Sequence, residues 1–309
     1  MRYSVIIPVY NRPDEVDELL KSLTTQHFTD FEVIVVEDGS SVSCKEIVDR
    51  YTDKLDIKYF FKSNSGPGQS RNYGAERSEG EYLIILDSDV ILPEGYFDAV
   101  EKELTTSPAD AFGGPDRAHD SFTDIQKAIN YSMTSFFTTG GIRGGKKKMD
   151  KFYPRSFNMG VRRAVYEALG GFSKMRFGED IDFSIRIFKN GYTCRLFSDA
   201  WVYHKRRTDL KKFFKQVHNS GIARINLYKK YPDSLKLVHL LPAVFTLGVA
   251  LLLLGTPFCL FSFMPVILYA LLVCIDSTIQ NKSLSIGVYS IAAAFIQLIG
   301  YGTGFWRAW

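Results

Sequence analysis

Short runs of β-branched and aliphatic residues alternate with amphipathic stretches through the first ninety positions. Residues 4–9 read as a buried strand, and positions 14–25 place Val16, Leu19, Leu20 and Leu23 on one helical face. The pattern continues with a strand over 31–36, a helix from about 44 to 54 and a strand over 56–61. A Gly/Ser/Asn/Pro segment then leads into a helix over 69–78 and a strand over 82–86. Strand–helix repeats with short connections imply right-handed crossovers and a doubly wound α/β sheet. From 109 to 199 the pattern is less regular, with a strand near 111–114 and a helix around 122–137. The Gly-Gly-Ile-Arg-Gly-Gly-Lys-Lys-Lys stretch at 140–148 reads as a mobile loop, either a phosphate-gripping lid or a plain solvated connection.

The pattern changes sharply near Lys236. Residues 237–275 hold no acidic or strongly basic side chain, and as one helix they would run roughly 58 Å against a hydrocarbon core of about 30 Å. A turn at Gly255-Thr256-Pro257 divides the stretch into two spans, about 237–256 and 258–275. A polar link over 276–283 then precedes a third apolar stretch, 284–305, which ends in Trp306 and Trp309 at a plausible interface. The reading is two or three C-terminal transmembrane helices, with a buried hairpin as the bland alternative.

Composition refines this picture. The mean hydropathy of −0.06 averages two unlike parts. The net charge of +4 is modest, and nothing in the chain predicts a nucleic-acid partner. Charge is concentrated at 205–230, where Lys205, Arg206, Arg207, Lys211, Lys212, Lys215, Arg224, Lys229 and Lys230 form a basic collar just before the apolar tail. Beside a membrane such a collar attracts anionic headgroups and places the preceding domain in the cytoplasm. The four cysteines show no metal or disulfide spacing, which predicts reduced thiols. The chain opens directly on a strand, and no signal peptide is expected there.

Ligands of doubly wound sheets bind beyond the carboxyl ends of the strands. The residues there are Tyr10-Asn11-Arg12, Glu37-Asp38-Gly39-Ser40 and Asp87-Ser88-Asp89. Asp87 and Asp89 put two carboxylates one residue apart at the end of a buried run, where a divalent cation, Mg²⁺ or Mn²⁺, relieves their repulsion and bridges a diphosphate. Glu37-Asp38 is either a nucleobase or ribose contact or an acidic turn capping the next helix. The segment 65–72 enters a helix N-terminus, which favours anions, with Arg71 close behind.

Ser4-Val5-Ile6-Ile7-Pro8-Val9-Tyr10-Asn11, Val35-Val36-Glu37-Asp38-Gly39-Ser40, Gly68–Asn72 and Asp87-Ser88-Asp89 occur in the order and spacing of the family 2 inverting glycosyltransferases of the GT-A fold. The chain also resembles them at Asn158–Arg163, Gly170-Gly171-Phe172 and Gly178-Glu179-Asp180-Ile181-Asp182, so the match covers roughly the first 205 residues. The resemblance implies a nucleotide-sugar site containing Pro8, Tyr10, Glu37, Asp38, Arg71, Asp87 and Ser88. It implies a metal held by Asp89 and Asp87, with His204 as a further metal or phosphate contact. Asp180, beside Glu179, resembles the general base. Like-charge repulsion from Glu179 and Asp182 is expected to raise the proton affinity of Asp180. The Gln-x-x-Arg-Trp motif of processive synthases is missing, since Gln216 is followed by Val217-His218-Asn219.

The domains expected are a catalytic GT-A (Rossmann-like) domain over 1–205, a basic juxtamembrane helix over 206–235 and a transmembrane region over 236–309. The function expected is transfer of one sugar from a UDP- or GDP-sugar to a membrane-embedded, polyprenyl-linked acceptor in surface polysaccharide or glycolipid synthesis, at the cytoplasmic membrane. Two alternatives stand beside it: transfer to polyprenyl phosphate itself, and a non-catalytic nucleotide-sugar-binding subunit of a synthase.

Overall fold

A computed structural model describes residues 1–119, 121–139 and 152–309. The loop expected at 140–148 lies outside the described residues. Numbered along the chain, the first elements are β1 (Tyr3–Val9), α1 (Pro13–Leu23), β2 (Phe31–Asp38), α2 (Lys45–Asp49), β3 (Ile57–Lys62), α3 (Pro67–Ala75) and β4 (Tyr82–Leu86). They continue as β5 (Val90–Ile91), α4 (Tyr96–Thr106), β6 (Ala111–Gly113), β7 (Asp116–Arg117), α5 (Asp124–Thr134) and α6 (Phe136–Thr139). Then come β8 (Asn158–Arg162), α7 (Arg163–Ala168), α8 (Glu179–Lys189), β9 (Cys194–Leu196) and β10 (Val202–His204). The last are α9 (Leu210–Lys230), α10 (Leu241–Gly255), α11 (Met264–Asn281) and α12 (Leu284–Ala308). The chain divides into two compact units, residues 1–119 with 148–204, and residues 120–147 with 205–309.

In the first unit a seven-stranded sheet runs in the order β3-β2-β1-β4-β8-β6-β9. Strands β1 to β4 are mutually parallel, as the alternating pattern implies. Because helices cover both faces, β1 and β2 are buried almost throughout instead of alternating with polar residues. Successive side chains still point to opposite faces. Val5, Ile7, Val33 and Val35 meet Leu19, Leu20 and Val100 on one side, while Ile6, Ile34, Val36 and Ile85 meet Ala75, Phe183 and Ile187 on the other. The doubly wound expectation needs one correction. β8 runs antiparallel to both β4 and β6. Residues 120–147, which precede β8, belong to the other unit, and among the described residues no helix of this unit joins β6 to β8 to turn the strand parallel.

A second sheet, β5-β10-β7, is small but positions chemistry. Its register sets His204 opposite Val90, the residue after Asp89, and Val202 opposite Asp116.

In the second unit, Ala128, Ile129 and Met133 of α5 pack with Phe213 and Val217 of α9 and with Ile286 and Ala293 of α12. Leu237–Gly255, Phe261–Asn281 and Leu284–Ala308 are each long and apolar enough to cross a membrane, by length and composition. The first break falls after Gly255, where expected. The polar link expected at 276–283 is instead helical through Asn281, because the Asp276 carboxylate accepts hydrogen bonds from Tyr131 (2.5 Å) and Gln280 (2.9 Å) and so does not break α11. The expected helix over 44–54 is likewise shorter, ending at Asp49. All four cysteines are free thiols.

Candidate active site

The carboxyl ends of β1, β2 and β4 open onto one region of the first unit, and most residues singled out from the sequence lie there. After β1, the Asn11 side chain accepts hydrogen bonds from the Ser41 (2.8 Å) and Val42 (3.0 Å) amides, tying its loop to the one after β2. Pro8 lies within β1, and Tyr10 just beyond it is exposed. After β2, Gly39 adopts φ +70°, and a Cβ there would lie 2.7 Å from the Asn64 nitrogen. Only glycine makes that turn without strain.

The two carboxylates of the Glu37-Asp38 pair face different partners. Glu37 accepts hydrogen bonds from Ser43, the Cys44 amide and Tyr59, so its bonds are made within the protein. Asp38 accepts from Lys62 Nζ (2.5 Å) and from the Ser65 and Gly66 amides (2.9 Å each). Burial opposes ionisation at both, but these donors outweigh it and hold both carboxyls below their ordinary range.

Beyond β4, Asp87, Asp89 and His204 offer ligand atoms that all lie within 4.8 Å of one another. The two carboxylates are hard oxygen donors of the kind Mn²⁺ or Mg²⁺ takes, and the imidazole adds a nitrogen donor that favours a transition metal such as Mn²⁺ over Mg²⁺. The Arg12 guanidinium reaches Asp89 at 2.5 Å, and His204 lies 3.3 Å from Asp89 and 3.7 Å from Asp116. The Phe157 ring stacks on His204, with centroids 4.7 Å apart, and fixes its plane. Ser88 lies buried between the two aspartates in the chain.

Arg71 joins this cluster to the acidic helix. Its side chain is 3% exposed and donates to Asp87 (2.7 Å) and to Glu179 (2.9 Å), with the Phe172 ring 5.2 Å from the guanidinium carbon. Asn72 holds the neighbouring loop by accepting from the Phe172 amide (2.8 Å) and Tyr166 (2.6 Å). Gly178, at φ +83°, turns the chain into α8, whose first turn carries Glu179, Asp180 and Asp182 where the helix dipole favours anions.

Asp180 does not behave as like-charge repulsion alone suggests. Its carboxylate pairs with Arg155 Nε at 2.7 Å and accepts from the Ile181 amide at 2.8 Å. Burial favours the protonated form, but Arg155, Arg71 and the Ile181 and Ser156 amides prevail and hold Asp180 below the usual carboxylate range. It is Glu179 that is pushed up, by burial and by the charge of Asp180, against the pull of Arg71. Asp182 is turned to Arg186 on the same helix, at 3.0 Å. The expected rise at Asp180 is therefore corrected: its counter-ion, Arg155, is supplied from a loop distant in sequence.

The sequence assigned no role to four residues that touch this site: Arg12, Lys62, Asp116 and Arg155. Arg12 stood in a turn that had been singled out. Lys62, Asp116 and Arg155 carry no local signal and become visible only through strand register or a long-range ion pair.

The family model for Glycosyl transferase family 2 matches residues 4–170, more than half of the chain. The poly(ribitol-phosphate) β-N-acetylglucosaminyltransferase TarS of Staphylococcus aureus is 44% identical over 93 residues, 29% of this chain and 16% of that enzyme. A crystal structure of TarS residues 1–349 with UDP-GlcNAc superimposes with a TM-score of 0.55 at 24% identity, over 73% of this chain and 67% of that one. The GalNAc(5)-diNAcBac-PP-undecaprenol β-1,3-glucosyltransferase of Campylobacter jejuni is 34% identical over 115 residues, 36% of this chain and 37% of that enzyme. The mannosyltransferase PcManGT of Pyrobaculum calidifontis, solved with GDP-Man and Mn²⁺, superimposes over 96% of this chain and 87% of its own with a TM-score of 0.59 at 20% identity. The matched stretches span well under half of either curated relative, and the two structures share the fold. By the extent of the family match, this chain belongs to glycosyl transferase family 2.

Proposed function

We propose that this chain transfers one sugar, with inversion, from a UDP- or GDP-sugar to a polyprenyl-linked acceptor at the membrane surface, with the 1–119 and 148–204 unit as the catalytic part and α10–α12 as the anchor. The observation that carries this reading is the convergence of Asp87, Asp89 and His204, joined through Arg71 to the Glu179-Asp180 turn. A candidate cation site and a candidate base are then linked through one buried arginine, as a single displacement requires of groups that act together. The relatives support the reading in kind: one acts on an undecaprenol-linked sugar and one is solved with a nucleotide-sugar and Mn²⁺.

In this reading Asp87, Asp89 and His204 would hold a divalent cation, which would supply positive charge opposite the departing diphosphate. Asp38 accepts hydrogen bonds from the nucleobase or ribose, with Pro8, Tyr10, Glu37 and Ser88 shaping the walls around it. The acceptor oxygen bonds to the anomeric carbon as the bond to the diphosphate oxygen breaks. The electron pair leaves on the diphosphate, and the acceptor proton passes to Asp180. The basic collar at 205–230 keeps the catalytic unit on the cytoplasmic side.

One observation favours a second reading. Asp180 held by Arg155 is a weak base, which suits polyprenyl phosphate, an acceptor already ionised. Nucleotide release from a panel of UDP- and GDP-sugars, by detergent-solubilised protein with membrane lipid extract, tests both. Lipid-dependent release of one nucleotide, abolished by a chelator and restored by Mn²⁺, is the expected result. Wild-type activity in Asp180→Asn would shift the assignment to the phosphate acceptor. Donor binding without any release would point to a non-catalytic subunit.

A further inference from the structure

We propose that Arg155 is an exchangeable counter-ion: it pairs with Asp180 before the donor arrives, then moves to the donor's diphosphate and releases Asp180 to take the acceptor proton. This rests on the base-assisted reading above.

The partners of Asp180 differ in their freedom to leave. The Ile181 and Ser156 amides belong to the backbone. Arg71 is buried and fixed by its own bonds to Asp87 and Glu179. Arg155 alone among these is substantially exposed, at 38%, and stands on a long side chain in the loop before β8. Among the described residues, the charged groups found around Asp180 are Arg155 from that loop, Arg71 from α3, and Glu179 beside it, with Asp182 turned to Arg186 on α8.

A carboxylate bound in an ion pair accepts a proton poorly, so base catalysis by Asp180 requires Arg155 to withdraw. The fold supplies a destination. Two residues after Arg155, Phe157 stacks on His204 of the cation cluster, and Arg71 spans from Glu179 to Asp87. The loop carrying Arg155 therefore borders both the base and a residue of the group that would hold the cation. A diphosphate offers more negative charge than one carboxylate, and its oxygens match the guanidinium fork. The exchange orders the reaction: a proton acceptor is set free only once a leaving group is in place. Atoms balance as in the transfer above, since Arg155 changes partners without giving up a proton.

The test uses the full-length protein in detergent with Mn²⁺, comparing wild type, Arg155→Lys and Arg155→Gln. The acid limb of kcat/KM for the donor reports Asp180 in the free protein, and that of kcat at saturating donor reports it in the complex. In the wild type the first limb lies at lower pH than the second. Arg155→Gln raises the donor kcat/KM limb by about one pH unit, leaves the kcat limb in place, and weakens donor binding about tenfold by calorimetry. Arg155→Lys, which keeps the charge, shows a smaller loss of affinity. Coincident limbs in the wild type, limbs that shift together in Arg155→Gln, or unchanged donor affinity would each overturn the exchange. Full activity in Asp180→Asn would instead remove the base assignment, while the affinity comparison would still report whether Arg155 meets the diphosphate.

Discussion

Five of the carboxylates at the candidate site have a cation on them: Asp38 has Lys62, Asp87 and Glu179 share Arg71, Asp89 has Arg12 and Asp180 has Arg155. Asp38, Asp87 and Asp89 were legible because they follow buried runs, where a charge stands out against its neighbours, while Glu179 and Asp180 were legible through the family resemblance. The cations were not, because each comes from a different element and only the folded chain brings it near. Asp38 shows the energetic consequence. Its folded-state pKa is lowered, so its stabilising contribution is complete above the unfolded value near 3.9 and disappears as pH falls through the folded value. Asp38→Asn lacks this term and should lose stability less steeply than wild type between about pH 4 and 2. Unfolding midpoints across that range measure the difference, and parallel acid arms would refute it.

At the level of elements, hydrophobic period identified β1, β2, β4 and α1 almost to the residue, because a strand buried on both faces and a helix buried on one leave unmistakable patterns. β8 was quoted as a motif and not read as a strand, since glycine in its centre weakens the pattern. The structure supplies the reason for that glycine: a Cβ on Gly160 would sit 2.1 Å from the Phe112 ring of β6. The same tightness joins α9 to α12. A Cβ at Gly304 would fall 1.9 Å from the His218 carbonyl, and one at Gly221 would fall 2.2 Å from the Tyr301 carbonyl. Gly304→Val should therefore force the two backbones apart and destabilise the second unit by about 2 kcal/mol. Gly248→Ala is the control, since nothing lies within 4 Å of its added methyl. Thermal unfolding in detergent should show a lowered Tm for the first and little change for the second.

Over the whole molecule, the basic collar and the apolar tail mark a change of composition after about 205, and the last residue of the first compact unit is His204. The detour of 120–147 into the second unit was not legible, because a helix such as α5 carries no mark of its eventual partners. That detour makes a specific prediction. A fragment ending at His204 leaves Ala128, Ile129 and Met133 without Phe213, Val217, Ile286 and Ala293. Such an apolar face should drive association, visible as aggregates in size-exclusion chromatography, and replacing 120–147 with a short polar linker should reduce it. The detour also sets a timetable for synthesis. The last strands of the two sheets, β9 and β10, are made before the first apolar helix at Leu237, so both sheets of the first unit can close while that helix is still untranslated. α5 follows the opposite schedule: it leaves the ribosome early and must wait for α12, more than 150 positions downstream, before its last partners exist.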